Sequence, residues 1–322
     1  RLMLGSTTPK DLPVMMELVY GAFTDINWSE EEYKALQELY TGLLHNQEAN
    51  PEYIFGRDVA KALYKSPYRQ AISVDDIQNA SREATIALAR KAFANAADFT
   101  FIFVGNVDAE SLKPLVEQYI ATLPADASKS APVVKAVDPA LEIISGSGTE
   151  TFTTKMETPQ TYAAITETAT LPYTMKESII ASVAGQIMTA RLLETVREKE
   201  GATYSIGAYG SMSYLEGGNA SMEISFPMKP EMKEKVLDII KSEFSKMEKE
   251  ISAEELNKVK EYMAKQYTEN KEKNNPWINA IQTYALCGVD TFNGNVDAVN
   301  SITADDIRNY LSLKTSRVGT MF

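Results

Sequence analysis

An internal repeat is the feature that most limits how this chain can fold. The octapeptide Ile-Ser-Val-Asp-Asp-Ile-Gln-Asn at Ile72 returns at Ile302 as Ile-Thr-Ala-Asp-Asp-Ile-Arg-Asn, with five of eight positions identical. Two further matches lie in the same order, Pro9 with Pro230 and Ser29 with Ser252. Each match alone has a simple explanation, because Ser or Thr before acidic residues is a common helix-capping signal. Three ordered matches, at offsets of 221, 223 and 230 residues (230 − 9, 252 − 29 and 302 − 72), indicate two copies of one structural unit.

A stretch between Pro124 and Gly148 separates the two copies. Three prolines and two glycines interrupt it, a composition typical of a linker. We predict a truncated first domain over residues 1–125, a linker over 126–148 and a complete second domain over 149–322. About 80 residues precede Pro230 in the second copy but eight precede Pro9, so we expect the first copy to lack its N-terminal portion.

The second copy begins with strand-like sequence. Residues 151–172 have strand character, and an apolar helix is predicted over 173–200, ended by Gly201. Between 220 and 226 apolar and polar residues alternate, which predicts a strand with one buried face. Gly217-Gly218 predicts the turn before that strand.

Helices are predicted from about 230 to 310, and a last strand ends the chain at Phe322. Strands followed by helices indicate the α+β class. We predict two homologous domains, each a mostly antiparallel sheet with helices on one face, the first truncated at its N-terminus. In the first copy, residues 2–4 and 99–104 are predicted to form strands.

Composition limits the partners. The chain has 32 basic and 44 acidic side chains and a net charge of −12, which repels a phosphate backbone or an anionic membrane surface. We expect no nucleic-acid partner. The longest uncharged stretch, residues 274–289, is too short and too polar to cross a bilayer, so no membrane insertion is expected. A single cysteine, Cys287, excludes an internal disulfide.

The chain has too few histidines for a catalytic zinc site. Such a site uses about three protein ligands, with histidine prominent, and His45 is the one histidine. His45 and Glu48 match the first and fourth positions of the inverted zinc motif His-x-x-Glu-His, but Ala49 stands where the second histidine is required. Nucleophile-elbow and nucleotide-binding motifs are missing from the sequence. We predict no metal ligand, no cofactor-binding residue and no catalysis by this chain alone.

One segment carries residues suited to binding a peptide carbonyl. From Arg191 it reads Arg-Leu-Leu-Glu-Thr-Val-Arg-Glu-Lys-Glu-Gly-Ala-Thr-Tyr-Ser-Ile and joins a helix end to a strand start. Arg197 falls in the last helical turn, where a cation is favourable, and Tyr204 follows the glycine cap, so the two tips can converge. A guanidinium and a phenol donate hydrogen bonds that a carbonyl, or the oxyanion it becomes, accepts. A structural interpretation stays open: Arg197 neutralises a helix end, and Tyr204, Ile206 and Ala208 form one strand face.

The same segment resembles the corresponding part of the insulinase and pitrilysin family of zinc peptidases, which includes the mitochondrial processing peptidases. The resemblance covers nearly the whole chain, since residues 99–108 and Leu123-Pro124 look like the close of a family domain. One departure is Ala202-Thr203, where many members have a bulkier Leu before a small residue.

In that family each half is a pair of homologous α+β domains. The N-terminal half carries His-x-x-Glu-His, and the metal-free C-terminal half carries an Arg…Tyr pair that Arg197 and Tyr204 match. The resemblance implies that this chain is the C-terminal half of a bacterial-type zinc endopeptidase or oligopeptidase. The zinc, and a glutamate that activates its water, would belong to the N-terminal half of the same protein or to a partner subunit.

The resemblance also implies a role for each residue. Tyr204 would be the oxyanion donor, Arg197 would hold a substrate carbonyl, and Leu193 and Ile206 would pack in the core. An unfolded peptide would be clasped between the halves, added as a strand to a sheet edge. The bacterial periplasm is favoured over the cytoplasm. The alternative is a catalytically inactive homologue that acts as a structural or assembly subunit, as in a respiratory complex, or as a peptide-binding module.

Overall fold

The computed structural model describes residues 2–129, 144, 146–214, 219–312 and 315–321. The chain separates into two units. Unit 1 contains Arg1–Asn46, Ile72–Val133 and Trp277–Ala285, and unit 2 contains Gln47–Ala71, Val134–Pro276 and Leu286–Phe322. Much of the predicted linker and the predicted Gly217-Gly218 turn lie outside the described residues, and the domain boundaries stay a prediction.

The described strands all belong to unit 2 and form one sheet. They are β1 (Gly148–Phe152), β2 (Thr161–Thr170), β3 (Ala208–Ser213), β4 (Asn219–Met228) and β5 (Thr315–Met321). Their order is β1-β5-β2-β4-β3, in which β1 and β5 are parallel and the other pairs antiparallel. With the helices described below, this sheet confirms the predicted α+β class.

The predicted alternation in β4 is confirmed. Its even-numbered residues from Ala220 to Met228 are buried, while Glu223 and Ser225 are exposed on the other face. Because successive strand side chains point to opposite faces, β4 presents one apolar face to the core and one polar face.

A long helix, α7 (Met175–Leu192), fills the core beneath that apolar face. Half of its residues are buried, and it continues as the π-helical turn Leu193–Glu198. By length and composition, Met175–Glu198 is apolar enough to span a membrane, although its sequence contains charged residues and no membrane insertion was predicted. However, 56% of its most apolar window is buried within the protein, as in the core helix of a globular domain.

Two glycines allow α7 to touch β3. A Cβ on Gly210 of β3 would overlap the carbonyl oxygen of Ala181 in α7 and lie 3.2 Å from the backbone nitrogen of Gly185. A Cβ on Gly185 would overlap the backbone nitrogen of Gly210. Backbone therefore packs on backbone here, an approach that only glycine permits.

Five helices follow β4: α8 (Lys233–Lys249), α9 (Ala253–Asn270), α10 (Asn274–Cys287), α11 (Asn295–Ser301) and α12 (Ala304–Ser312). In α8, Val236, Ile240 and Met247 are buried on one face, so this amphipathic helix packs on the core. Ser252 caps α9 in a reciprocal capping box with Glu255.

Unit 2 also contains α3 (Pro51–Leu63), which packs on the opposite face of the sheet. Phe55 is buried there against Ala164 of β2, and the rings of Phe152 and Tyr162 lie 6.4 and 5.8 Å from it. The sheet is therefore covered by α7 and its neighbours on one face and partly by α3 on the other.

Among the described residues of unit 1, the regular elements are helices. They are α1 (Leu12–Thr24), most of α2 (Glu30–Glu48), α4 (Val74–Gln78), α5 (Arg82–Ala92), α6 (Ala109–Leu115) and the part Trp277–Ala285 of α10. An aromatic cluster joins α1 to the end of α5: the ring of Phe23 lies 5.2 Å from that of Phe93 and 4.8 Å from that of Phe99.

Two strand predictions in the first copy were wrong. Residues 2–4 and 99–104 are irregular, without a ladder to any described residue. A strand is defined by its hydrogen-bonded neighbour, and the described part of unit 1 supplies none.

The octapeptide match was also wrong in register. The helices correspond in order, α1 with α8, α2 with α9, α3 with α10, α4 with α11 and α5 with α12, and their starting residues differ by 221 to 223. The match at offset 230 pairs α4 with α12, one helix out of step. Its residues are alike because Ser73 with Asp76, and Thr303 with Asp306, form the same capping contacts.

The glycine contact gives a test of the fold. Gly210→Ala should destabilise unit 2 by about 2 kcal/mol or more, because the new Cβ displaces α7 from β3. Gly56→Ala in α3 is the control: a Cβ there meets nothing within 4 Å, and alanine should stabilise a helix interior by about 0.5–1 kcal/mol. Urea unfolding followed by circular dichroism measures both, and equal midpoints for Gly210→Ala and wild type would refute the contact.

Candidate functional site

A π-helical turn and a glycine determine the position of the segment that is predicted to bind a carbonyl. In the turn, the N–H of Lys199 donates to the carbonyl oxygen of Glu194 at 3.0 Å, one residue further back than in an α-helix. Gly201 then adopts φ 57°, a left-handed conformation that suits a glycine helix cap. Its N–H donates to the carbonyl oxygen of Arg197 at 3.0 Å. The chain thereby reverses within a few residues.

The reversal brings Arg197 and Tyr204 together, as the sequence predicts. The guanidinium carbon of Arg197 lies 5.8 Å from the centroid of the Tyr204 ring, within cation–π range. Tyr204 is 89% exposed, and Arg197 is exposed as well. The two side chains therefore form a surface pair whose hydrogen-bonding groups are accessible to a ligand.

The structural interpretation of Tyr204, Ile206 and Ala208 as one face of a strand was wrong. Strand β3 begins at Ala208, so Tyr204 lies in the preceding loop. Ile206 and Ala208 are buried, while Tyr204 points to solvent. The predicted core positions are confirmed: Ile206 is buried in the cluster around α7, and Leu193 packs against that cluster.

Polar contacts that no sequence pattern predicted hold both ends of the segment. The hydroxyl of Thr189 accepts the N–H of Ala208 at 2.8 Å and donates to its carbonyl oxygen at 3.1 Å. Nε of Arg191 donates to Glu255 at 2.8 Å, and its Nη2 donates to the carbonyl oxygen of Glu250 at 3.0 Å. The capping pattern Ser-x-x-Glu at Ser252 was a signal for Glu255, but nothing in the sequence linked it to Arg191.

The ion pair shifts the ionisation of Glu255. Burial opposes the charged form, but hydrogen bonds from Arg191 and Ser252 outweigh it, so the pKa of Glu255 lies below its usual value. Arg191, near the end of α7 and about two turns before Arg197, is thus held against the start of α9. At the surface, an ion pair with Lys199 lowers the pKa of Glu194.

The described residues do not fit a zinc ion. No group of three or more His, Cys, Asp or Glu side chains that could hold a metal occurs in the part of the chain that the structure describes. His45 and Glu48 both lie in α2, and Ala49 follows its end. The arrangement at Arg197 and Tyr204 can donate hydrogen bonds but supplies no nucleophile or metal.

Comparison with known families identifies the class of protein. Residues 81–263 match the sequence model of the family described as the peptidase M16 inactive domain. The chain therefore belongs to this family, which confirms the resemblance to the insulinase and pitrilysin peptidases, and the matched domain is a non-catalytic one.

Particular relatives are similar along most of the chain. A zinc protease PQQL-like protein of Arabidopsis thaliana is 22% identical over 294 residues, which cover 84% of this chain and 30% of that protein. The periplasmic protease PqqL of Escherichia coli has the same fold, with a TM-score of 0.77 and 16% identity, over 97% of this chain and 35% of its own. The chain thus spans about a third of these two relatives.

The crystal structure of the first half of PqqL is also similar. Its TM-score is 0.74 with 14% identity, over 99% of this chain and 71% of that chain. The fold is therefore shared with a half-protease as well as with a whole one.

The ion pair that anchors α7 gives a pH-dependent prediction. A lowered pKa in the folded state means that ionised Glu255 contributes stability above its usual pKa of 4.5 and that this contribution is lost as the pH falls through the lowered value. Near pH 7, Glu255→Gln should cost about 1 kcal/mol, and its stability should converge with that of the wild type on acidification below pH 4.5.

Urea unfolding at a series of pH values measures this difference. Glu254→Gln removes the same charge from an exposed neighbouring residue and should follow the wild type throughout. If the difference between Glu255→Gln and wild type is constant from pH 7 to pH 3, the pair does not contribute as described.

Proposed function

We propose that this chain is the non-catalytic C-terminal half of a zinc-dependent endopeptidase or oligopeptidase. In this role it closes the substrate chamber and donates hydrogen bonds to the peptide. The observation that carries the proposal is the exposed Arg197–Tyr204 pair, built by a π-helical turn and a glycine cap on a packed core helix.

The chemistry of the pair suits a peptide bond under attack. The phenol of Tyr204 donates to the oxyanion that forms at the scissile carbonyl, where a well-placed donor is most effective. The planar guanidinium of Arg197 donates to a neighbouring substrate carbonyl and orients the peptide. The stack between them limits the freedom of Tyr204 before substrate arrives.

In this proposal the zinc ion is bound outside the 322-residue chain. The residues described here do not fit zinc, so zinc is assigned to an N-terminal half of the same protein or to a partner subunit. Similarity to the first half of PqqL as well as to the whole protease means that fold does not distinguish the two halves. Assignment to the C-terminal half therefore rests on Arg197 and Tyr204. Because PqqL of E. coli is periplasmic, we propose the bacterial periplasm for this protein.

Unit 1 exposes an apolar surface that a further segment of protein can cover. Its helix α2 exposes an apolar stripe at helical spacing, formed by Leu36, Leu39, Tyr40 and Leu43, with Tyr40 56% exposed. In the second copy, the counterparts of Leu36 and Tyr40 are Val259 and Met263, which pack in the core around α7 and the sheet, whereas the counterparts of Leu39 and Leu43 are the exposed Tyr262 and Gln266. We propose that a corresponding strand and helix layer, from the same protein or a partner, covers Leu36 and Tyr40.

Substitution of the pair tests the proposed role. In the full-length protein, Tyr204→Phe should lower kcat for peptide cleavage by about 10²-fold or more, because one oxyanion donor is lost. Arg197→Ala should lower kcat/KM by weakening the hold on the substrate carbonyl. Steady-state cleavage of a fluorogenic peptide measures both.

Two substitutions serve as matched controls, one of a lysine and one of a tyrosine. Lys199→Ala removes a cation that pairs with Glu194 two residues from Arg197, and Tyr262→Phe removes an exposed hydroxyl on α9. Both should cleave at the wild-type rate. If Tyr204→Phe and Arg197→Ala cleave within about twofold of wild type, the role is wrong. If the full-length protein cleaves no peptide, the alternative role of a catalytically inactive structural subunit explains the chain better.

The exposed stripe gives a second test. Tyr40→Lys should change the stability of the 322-residue chain by less than about 0.5 kcal/mol, because the side chain is exposed in it. In the full-length protein it should cost about 2 kcal/mol, because the proposed layer buries the ring. Tyr262→Lys, which alters a tyrosine of similar exposure in the second copy, should be neutral in both. Equal effects of Tyr40→Lys in the two proteins, measured by urea unfolding, would contradict the covering layer.

A further inference from the structure

Two short segments of unit 1 occupy the positions of strands in the repeat. Residues 2–4 come before the 3₁₀ turn Pro9–Asp11 and helix α1, as strand β4 comes before the turn Pro230–Met232 and helix α8. Residues 99–104 follow α5, as β5 follows α12. The two segments are therefore the counterparts of β4 and β5, although neither forms a strand in this structure.

In unit 2, strands β4 and β5 are joined through a third strand. Strand β2 lies between them and is antiparallel to both. Its residue Ile165 pairs with Ile224 of β4 on one side and with Val318 of β5 on the other. Because the described sheet has no ladder directly between β4 and β5, β2 is the strand that unites them.

The register of the repeat puts the counterpart of β2 outside the 322 residues. Strand β2 ends at Thr170, 63 residues before α8 begins (233 − 170), whereas α1 begins at Leu12. The described part of unit 1 offers no other strand with which residues 2–4 or 99–104 could pair. Since a strand needs a hydrogen-bonded neighbour, the lack of this one strand accounts for the irregular form of both segments.

One of the two segments already packs as a strand would. Phe99 is extended, with φ −116° and ψ 147°, and its ring lies 4.8 Å from that of Phe23 in α1. The ring of Phe101 lies 5.9 Å from the same ring. Because alternate residues of an extended chain share a face, this segment presents one face to α1. At the other segment, Leu2 and Leu4 are 62% and 69% exposed, which is apolar surface that a sheet would bury.

We propose that one strand of the same protein, from outside these 322 residues, inserts between residues 2–4 and residues 99–104 and runs antiparallel to both. This inference rests on the proposed function in taking the chain as part of a larger peptidase. It gives the proposed layer over Leu36 and Tyr40 a strand order, in which the inserted strand is central. Chain of this kind is available in a relative: 71% of the first half of PqqL is covered by this chain, so 29% (100 − 71) lies outside the match.

Amide hydrogen exchange tests the inserted strand. An amide in a sheet ladder exchanges only when the ladder opens. The amides of residues 2–4 and 100–104 should therefore exchange about 10²-fold or more slowly in the full-length protein than in the 322-residue chain. The amides of β5 are the internal control: they should be protected in both proteins, because the ladders from β5 to β1 and β2 are present in the 322-residue chain.

A proline substitution gives a second measurement. Proline cannot donate to a ladder and is excluded from central strands. Ile102→Pro should leave the urea midpoint of the 322-residue chain unchanged and should lower that of the full-length protein. Val318→Pro is the matched control in the second copy, where the ladders to Thr149 and Ile165 are already formed, and it should lower the midpoint of both proteins.

The outcomes separate this strand from the role of Arg197 and Tyr204. Equal exchange of residues 2–4 or of residues 100–104 in the two proteins would overturn the inserted strand, as would equal effects of Ile102→Pro. Protection of one segment alone would place the new strand at an edge and would also overturn it. None of these measurements requires cleavage of a peptide, so the strand and the proposed catalytic contacts can each fail while the other holds.

Discussion

The contact of α7 with β3 is the constraint on which the rest of unit 2 depends. Gly185 and Gly210 let a helix backbone lie directly on a strand backbone, and dispersion contacts between close-packed atoms add up over such a surface. The chain between these elements must then reverse in a short space. The π-helical turn and the left-handed Gly201 make that reversal, and they leave Arg197 and Tyr204 at its outer edge.

Ion pairs add to the arrangement of α7, β3 and the chain between them, which the backbone contact determines. Arg191 joins the end of α7 to Glu255 at the start of α9, while Lys199 and Glu194 pair at the surface. The Arg191–Glu255 pair is partly buried and fixes the helix, because burial makes an unpaired charge costly, whereas the exposed pair contributes little. Arg197 is therefore free of strong acidic partners among the described residues and stacks on a neutral ring instead.

The sequence predicted features that depend on local periodicity. The alternation in β4, the apolar run of α7 and the glycine that ends it follow from side-chain direction and backbone freedom, and these hold wherever the segment lies. Residues 99–104 have equally good strand composition, but a strand needs a partner that local sequence does not encode. The octapeptide repeat failed for a related reason, since capping contacts recur at many helix starts. The link between Arg191 and Glu255 joins residues 64 positions apart and emerges only when the helices pack.

The π-helical turn at Leu193–Glu198 holds one residue more than an ordinary helix needs at this place. A π-turn contains one residue more than the α-helical turn it replaces, so the chain on either side of it keeps its direction. Loss of one residue from 193–196 would therefore restore ordinary helix and leave Arg197 directed towards Tyr204. The same loss within the regular turns of α7 would instead rotate its apolar face by about 100°, so a one-residue deletion is tolerated at the turn and not in the helix before it.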